Sequence, residues 1–363
     1  MSARERFLRT MNFEPADRLP IMMNWLTAPY VQELIGLAPE EYWADQIGAH
    51  ARAFRILGVD FCEQLAFPPR EESQRSWSGG KETRWLDPDA VAADLDRHSA
   101  EAERDLASAP SRRETHIQAI CDYQVVTQRR LGDDCLWLFG MDAHGPHGIG
   151  FPYGAYGYEG FFLAVGAHPE VMERYWRTGA QLARWHNECV AEAARRLDWP
   201  RIGYMGSDMT TQTGNMISPA IMAQRFFPHL GDALEPLVGA GFKLIWHSDG
   251  NMNDMIDPLI DLGIAGFQGF QEECGTRVVD VAKRRARNGD PLILWGSVSA
   301  VDVVRSGTFA DIRREVERVL DEWTHPGLCL GTASAMMEDV PHANITEMYR
   351  LFRTLGAAQR GRN

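Results

Sequence analysis

The stretch FKLIWHSDGNMNDMIDPLIDLGIAGFQGF, residues 242–270, decides the fold. Residues 242–247 are a β-rich run ending on Trp246-His247, and residues 252–262 repeat apolar side chains at helical spacing. Gly263 then stops the helix as a left-handed glycine does, and an apolar run resumes at 266–270. Strand, helix, strand in so short a stretch is a crossover unit, because parallel neighbours in one sheet need a connection of a dozen residues or more.

The alternation continues outward in both directions. Further strands are predicted at 201–205, 292–295 and 328–330, and helices at 219–240, 278–288, 309–323 and 345–355. Ser218-Pro219 offers a capping serine and a proline at the first helical position, and Gly241 closes the same helix. In the N-terminal half, 19–24 and 59–64 read as strands and 169–197 as a long helix. So many parallel crossovers predict an α/β fold, a (β/α)8 TIM barrel forming one domain over 1–363. A doubly wound sheet would show a glycine-rich phosphate turn after its first strand, and Asn24-Trp25-Leu26-Thr27 has none. Residues 67–104, polar and poorly periodic, and 140–160, rich in Gly, Tyr, His and Phe, are expected as long loops at the C-terminal mouth.

Composition narrows the partners. The chain has 363 residues, 45% hydrophobic and 24% charged, and a formal net charge of −13. No basic stripe interrupts that charge, which argues against nucleic acid as a partner. Lys81, Lys243 and Lys283 are the three lysines, so Schiff-base chemistry has almost no candidates. Six scattered cysteines without a C-x-x-C pair suit a reducing cytoplasm. The N-terminus lacks an apolar signal, and no apolar run approaches the ~18 to 20 residues of a membrane span.

In a barrel of this kind the chemistry sits at the C-terminal ends of the strands. That rule selects Asn24 and Trp25, Glu63 and Gln64, Gly206-Ser207-Asp208, His247 to Asn251, Gln268 to Glu273, Gly296-Ser297, and Thr332 to Met336, with Trp25 and Trp295 suited to the wall of a planar-ligand pocket. Within it, His247 and Asp249 stand at i and i+2, so on an extended chain they point the same way and can share a metal ion, a substrate or a proton. A core histidine followed by a turn-forming aspartate has the same spacing. Asp208 is a candidate base or hydrogen-bond acceptor, and Glu272 or Glu273 a third ligand. The bland readings are turn chemistry for the first and a solvated loop for the second. His144 and His147 are ligands by spacing or passengers of a Gly/Pro loop. The aromatic series Phe151, Tyr153, Tyr156, Tyr158, Phe161, Phe162 reads as a lid over an apolar pocket, as core, or as a subunit interface.

These segments together resemble the uroporphyrinogen decarboxylase superfamily, which includes corrinoid-dependent methyltransferases. The resemblance rests on Arg4-Glu5-Arg6-Phe7, Asp17-Arg18-Leu19-Pro20-Ile21, Ile217-Ser218-Pro219 with Phe227-Pro228-His229-Leu230, His247 to Asn251 with 259–267, Leu294 to Val298, and Asp339 to Ile345. It implies a (β/α)8 barrel with its cleft at the C-terminal mouth. True decarboxylases of the family carry Met-Arg-Gln-Ala-Gly-Arg after the first strand, whose arginines bind the tetrapyrrole carboxylates. The matching Met22 to Ala28 has no arginine, although the chain holds 34 of them, so a polyanionic porphyrinogen would lack its counter-charges. The zinc branch that activates thiols uses His-x-Cys and a distant Cys. Here Asp249 takes the first cysteine position and the second falls near Ser334.

What the resemblance implies is therefore the methyl-donor side of a corrinoid system. A methyltransferase (demethylase component) would pass a methyl group from an aryl methyl ether or N-methylated substrate to a partner corrinoid protein. His247, Asp249 and Asp208 would be catalytic, and Asn24, Trp25, Glu63, Tyr204, Gln271, Trp295, Ser297 and Met336 would bind substrate. A zinc or other cation on His247, Asp249 and Glu272 would act as Lewis acid on the ether oxygen. Two rivals remain: a lyase of a small carboxylic acid, with Arg70 its one arginine near the mouth, and a barrel that binds a ligand or corrinoid protein without chemistry. A homodimer is left open.

Overall fold

The computed structural model describes residues 1–64, 87–322 and 325–358. Eight short parallel segments follow one another around a ring: 21–22 (β1), Phe61–Cys62 (β2), Leu136–Trp137 (β3), Ile202–Gly206 (β4), Lys243–His247 (β5), Ile264–Gln268 (β6), Ile293–Trp295 (β7) and Leu328–Cys329 (β8). β4 to β8 form a continuous sheet and β2 pairs with β3. Three single bridges join these pieces: Ile21 to Leu330, Met22 to Phe61, and Phe139 to Gly203, all parallel. Backbone bonds from Met22 N to Leu330 O (3.0 Å) and from Tyr204 N to Phe139 O (2.8 Å) run across two of these joins. The sequence of partners returns to its start, which is a (β/α)8 barrel.

The interior is filled by stacked inward side chains. Met22, Phe61, Leu136, Ile202, Tyr204, Ile245, Ile293, Trp295 and Cys329 pack together, with Phe7 and Met11 of helix Ala3–Met11 closing the N-terminal end. Trp295 lies 4.8 Å from Phe61 and stacks on Tyr204 at 5.7 Å. β6 contributes Gly266, where a Cβ would stand 2.3 Å from the Ile293 carbonyl and 2.8 Å from Ile245 Cδ1. Arg6 and Asp17, from the segments that carry the family resemblance, are structural. Asp60, at the start of β2, accepts from Arg6 Nη1 (2.6 Å), from Arg18 and from the Ile21 amide (2.8 Å). This buried cluster ties the first helix to β1 and β2.

Several expectations change. Helix Pro88–Leu131 replaces residues 88–104 of the loop expected at 67–104; the earlier part of that stretch, with Arg70, lies outside the described residues. Its buried positions stop at Ser99 and resume at Ala109, so the intervening turns carry no buried stripe to mark them as helix. β3 had no counterpart among the expected strands, because two residues are too few for a period. β6 begins directly after Gly263, two residues before the expected 266–270. The helix expected at 278–288 is limited to Val278–Val281. That expected at 219–240 has a wide π turn at Met222–Phe226 before Phe227–Gly239. Pro228 has no amide to give to residue 224 and its ring crowds that carbonyl, so the turn widens. Ser218 makes no side-chain cap there. Helices Tyr153–Tyr156 and Tyr158–Ala167 occupy the end of the expected 140–160 loop.

Candidate active site

Along each strand the next inward position lies two residues beyond the packed layer, at the mouth. Met22 leads to Asn24, Phe61 to Glu63, Ile245 to His247 and Gly266 to Gln268. These side chains, with Trp25, Gln64, Met141, Tyr204, Ser207, Asp208, Asp249 and Ser334, line a cavity of about 260 Å³. Among the described lining residues there is no arginine or lysine. Asn24 and Trp25 hold left-handed backbone, with φ of 56° and 49°. Asn24 is locked there by bonds from its amide to Met22 O (3.1 Å) and Tyr349 Oη (3.1 Å), and to its Oδ1 from Thr332 N (2.8 Å).

Asp208, His247 and Asp249 come together, each offering a ligand atom within 4.8 Å of the others. Asp208 Oδ1 accepts the Asp249 amide (3.0 Å) and lies 3.9 Å from His247 Nε2. Ser334 donates to Asp249 Oδ2 (3.0 Å), so the two positions where the zinc branch carries cysteines do meet beside His247. The other oxygen, Asp249 Oδ1, is buried with no partner. Burial pushes the Asp249 carboxyl above its ordinary value, His247 opposes that, and Asp208 adds to it.

Gln268 orders the group. Its amide nitrogen donates to Thr332 O (2.9 Å), which turns Oε1 toward the cavity; Oε1 then accepts from Tyr204 Oη (2.9 Å) and from His247 Nδ1 (2.5 Å). An acceptor at Nδ1 places the imidazole proton there and leaves the Nε2 lone pair directed to the Asp208 side. One imidazole nitrogen and two carboxylates, one of them with an orphaned buried oxygen, fit a borderline or hard divalent cation such as catalytic zinc, and not a thiolate-rich structural site.

Glu63 is the second acid of the cavity. It is 1% exposed, and burial pushes its carboxyl up to about 8 despite backbone N–H groups of Met23, Asn24 and Glu63 itself on the carboxylate. Its Oε2 has no partner.

His247, Asp249, Asp208, Asn24, Trp25, Glu63 and Tyr204 thus share one cavity, as the sequence reading placed them. Others stand elsewhere. Glu272 is not with the metal-ligating group: it pairs with Arg318 (2.6 Å) and accepts the Val278 amide (3.0 Å). Gln271 lies behind the His247 loop, accepting from the Gly250 amide (2.6 Å). Trp295 and Met336 are fully buried, the first inside the barrel beneath Tyr204; Ser297 is 2% exposed. Gln268 was within the strand-end set, but its bridging role needed the Thr332 carbonyl, 64 residues away. Met141 carried no signal at all. His147 stacks on His186 at 3.7 Å, and His186 bonds His116 (2.8 Å) and the Gly145 carbonyl (2.8 Å). His144 stacks on Tyr123 at 4.1 Å. These imidazoles pin the loop that carries Met141. Phe151 packs on Phe161, Trp176 and Phe226, so this part of the aromatic series is core.

The curated proteins contain no match to the chain. Among solved structures, a methyltransferase from Methanosarcina mazei superposes with a TM-score of 0.56 at 15% identity, covering 98% of this chain and 99% of that one. This likeness is one of fold, and it agrees with the ring of eight strands. The model of the uroporphyrinogen decarboxylase (URO-D) family matches residues 205–355, which hold Asp208, His247, Asp249, Gln268 and Ser334. The match to this family model spans residues 205–355 of the 363, the stretch that carries the His247 to Asn251 part of the resemblance.

Proposed function

We propose that the protein is a methyltransferase that removes a methyl group from a small methoxylated or N-methylated substrate and delivers it to a corrinoid protein. The observation that carries this reading is the Asp208, His247, Asp249 group with Ser334, set in a cavity without a cation among its described lining residues. The described lining residues offer a polyanionic tetrapyrrole no counter-charge. They also offer a thiol substrate no thiolate-rich metal, because oxygen donors occupy both cysteine positions. What the cavity does suit is a small, weakly charged molecule held against Trp25, Tyr204 and Met141, beside an acid. The methyltransferase from Methanosarcina mazei, of like fold, is compatible with this chemistry.

A divalent cation held by His247, Asp249 and Asp208 would supply Lewis acidity at the departing heteroatom. This chain's own residues do the rest. Gln268 commits His247 Nε2 to accept rather than donate, Ser334 orients Asp249, and the Trp25, Tyr204 and Met141 walls exclude water. The barrel mouth is the surface open to a corrinoid partner.

The test mixes the purified protein, metal-loaded, with a cob(I)alamin-carrying partner and a panel of methoxyarenes and N-methyl compounds, reading the methylcobalamin spectrum. Spectral conversion supports the reading. Tight binding of the compounds without conversion would sink it and leave a non-catalytic binding barrel, whereas release of carbon dioxide from a small acid would favour a lyase. Zinc analysis gives a second expected outcome: about one equivalent in the wild type, lost in His247→Ala.

A further inference from the structure

Glu63 is the carboxyl of the cavity that stands outside the Asp208, His247, Asp249 group. The turn that follows β1 is held left-handed at Asn24 and Trp25 and directs the Met23 and Asn24 amides onto the Glu63 carboxylate. One carboxyl oxygen is thereby anchored, and Oε2 remains buried and without a partner at the wall of the cavity that also holds His247 and Asp249. The titratable groups packed around it, Tyr204, Tyr349, Cys62, Cys135 and Cys329, are all pushed up by burial and are uncharged. A carboxyl raised by burial to about 8 carries its proton at neutral pH. His247, by contrast, has its Nδ1 proton committed to Gln268.

We propose that Glu63 Oε2–H is the proton donor of the site and that the methyl donor is accordingly an aryl methyl ether rather than an N-methylated cation. The inference rests on the methyl-transfer reading above. In the step, the bond between methyl carbon and ether oxygen breaks with its electron pair on the oxygen. The methyl carbon bonds to the two-electron nucleophile brought by the partner, a cobalt(I) corrinoid. The Oε2 proton passes to the oxygen, so a neutral phenol leaves, and the Glu63 carboxylate takes a proton back from solvent. A quaternary ammonium donor would depart as a neutral amine and use no acid.

The experiment compares wild type and Glu63→Gln, both metal-loaded and with matching thermal unfolding, on methoxybenzenes whose phenols range from weakly acidic to the 4-nitro compound. With methoxybenzene itself the variant is expected to lose roughly a hundredfold to ten-thousandfold in turnover, as removal of a general acid does. The loss should shrink toward unity for the 4-nitro compound, whose phenolate leaves unaided. An equal loss along the whole series would overturn the proposal, and so would faster turnover of N-methylated cations than of ethers. A readout independent of turnover is the infrared carbonyl band of a protonated carboxyl at pH 7. It should be present in the wild type, absent in Glu63→Gln, and shifted when phenol binds. A missing or unshifted band would refute the donor. A shifted band without demethylation of any ether would leave the proton contact standing and discard the methyl-transfer reading instead.

Discussion

At the scale of single residues, the orientation of His247 is decided by an uncharged amide of the same cavity. Gln268 is pinned through its amide nitrogen to Thr332 O, and its oxygen holds both Tyr204 and His247. Gln268→Ala would free the imidazole to rotate and to place its proton on either nitrogen. Removal of such an orienting partner typically costs 10- to 100-fold in metal affinity. Competitive zinc titration of Gln268→Ala should show a loss of about that size with the fold intact; unchanged affinity would mean that Nε2 needs no such support. Asp249→Asn should behave differently, because it removes a ligand charge outright while keeping an acceptor for Ser334, so zinc should fall to trace amounts.

At the scale of elements, the strands are short and their packing is tight. Gly266 in β6 faces the barrel interior, where a Cβ would stand 2.7 Å from Ile293 Cβ and 2.8 Å from Ile245 Cδ1. Two neighbouring strands would have to move apart for Gly266→Ala, and overpacking of this kind typically costs ~1 to 3 kcal/mol. The midpoint of urea unfolding should drop accordingly with an unchanged slope. Because Gln268 lies on the same strand, zinc affinity should weaken in parallel, and a variant of wild-type stability would show that the barrel has slack at this layer. The same strand shows what periodicity can and cannot reveal. The sequence reading places this strand at 266–270 and misses its first two residues, and two-residue β3 is recognisable only from its partners Phe61 and Cys62.

At the scale of the whole molecule, buried titratable groups set the dependence of stability on pH. Burial lowers His116, His144 and His147 and takes His186 to about 3, against an ordinary value of 6.5. Their contribution is present above about 6.5 and is lost as pH falls from there toward 3, since the unfolded chain then binds protons that the folded one refuses. Glu63, at about 8, acts in the opposite sense, as Asp142 does at about 6. Between their ordinary values and these raised ones the folded form holds protons that the unfolded form has released, so stability declines as pH rises through that window. Each fully buried group contributes a slope of about 1.4 kcal/mol per pH unit within its window. Stability should therefore peak near pH 6 to 7, and Glu63→Gln should flatten the decline between pH 6.5 and 8 and steepen the rise between about 4.5 and 6.5, where Glu63 opposes the histidines. Urea unfolding across pH 4.5 to 8.5 measures both limbs, and an alkaline limb equal in variant and wild type would show that Glu63 is already ionised in the folded protein.

Local periodicity by itself determined the strand-helix alternation, the barrel and the addresses of His247, Asp249, Asp208, Asn24 and Glu63, because inward positions recur every second residue and chemistry collects at strand ends. Charge placement was equally legible: Met22 to Ala28 holds no arginine, and that fact needs no coordinates. Only the tertiary structure decided which acids meet. Glu272 lies five residues from Phe267 in β6 and looked as available as Asp208, yet Arg318, from a helix more than forty residues later, claims it. Gln268 acquired its role from the Thr332 carbonyl, and Glu63 its retained proton from burial among Tyr204, Tyr349 and three cysteines drawn from separate strands. Hydrogen-bond partners and desolvation depend on what closes around a side chain, and in a barrel that surrounding comes from residues hundreds of positions apart.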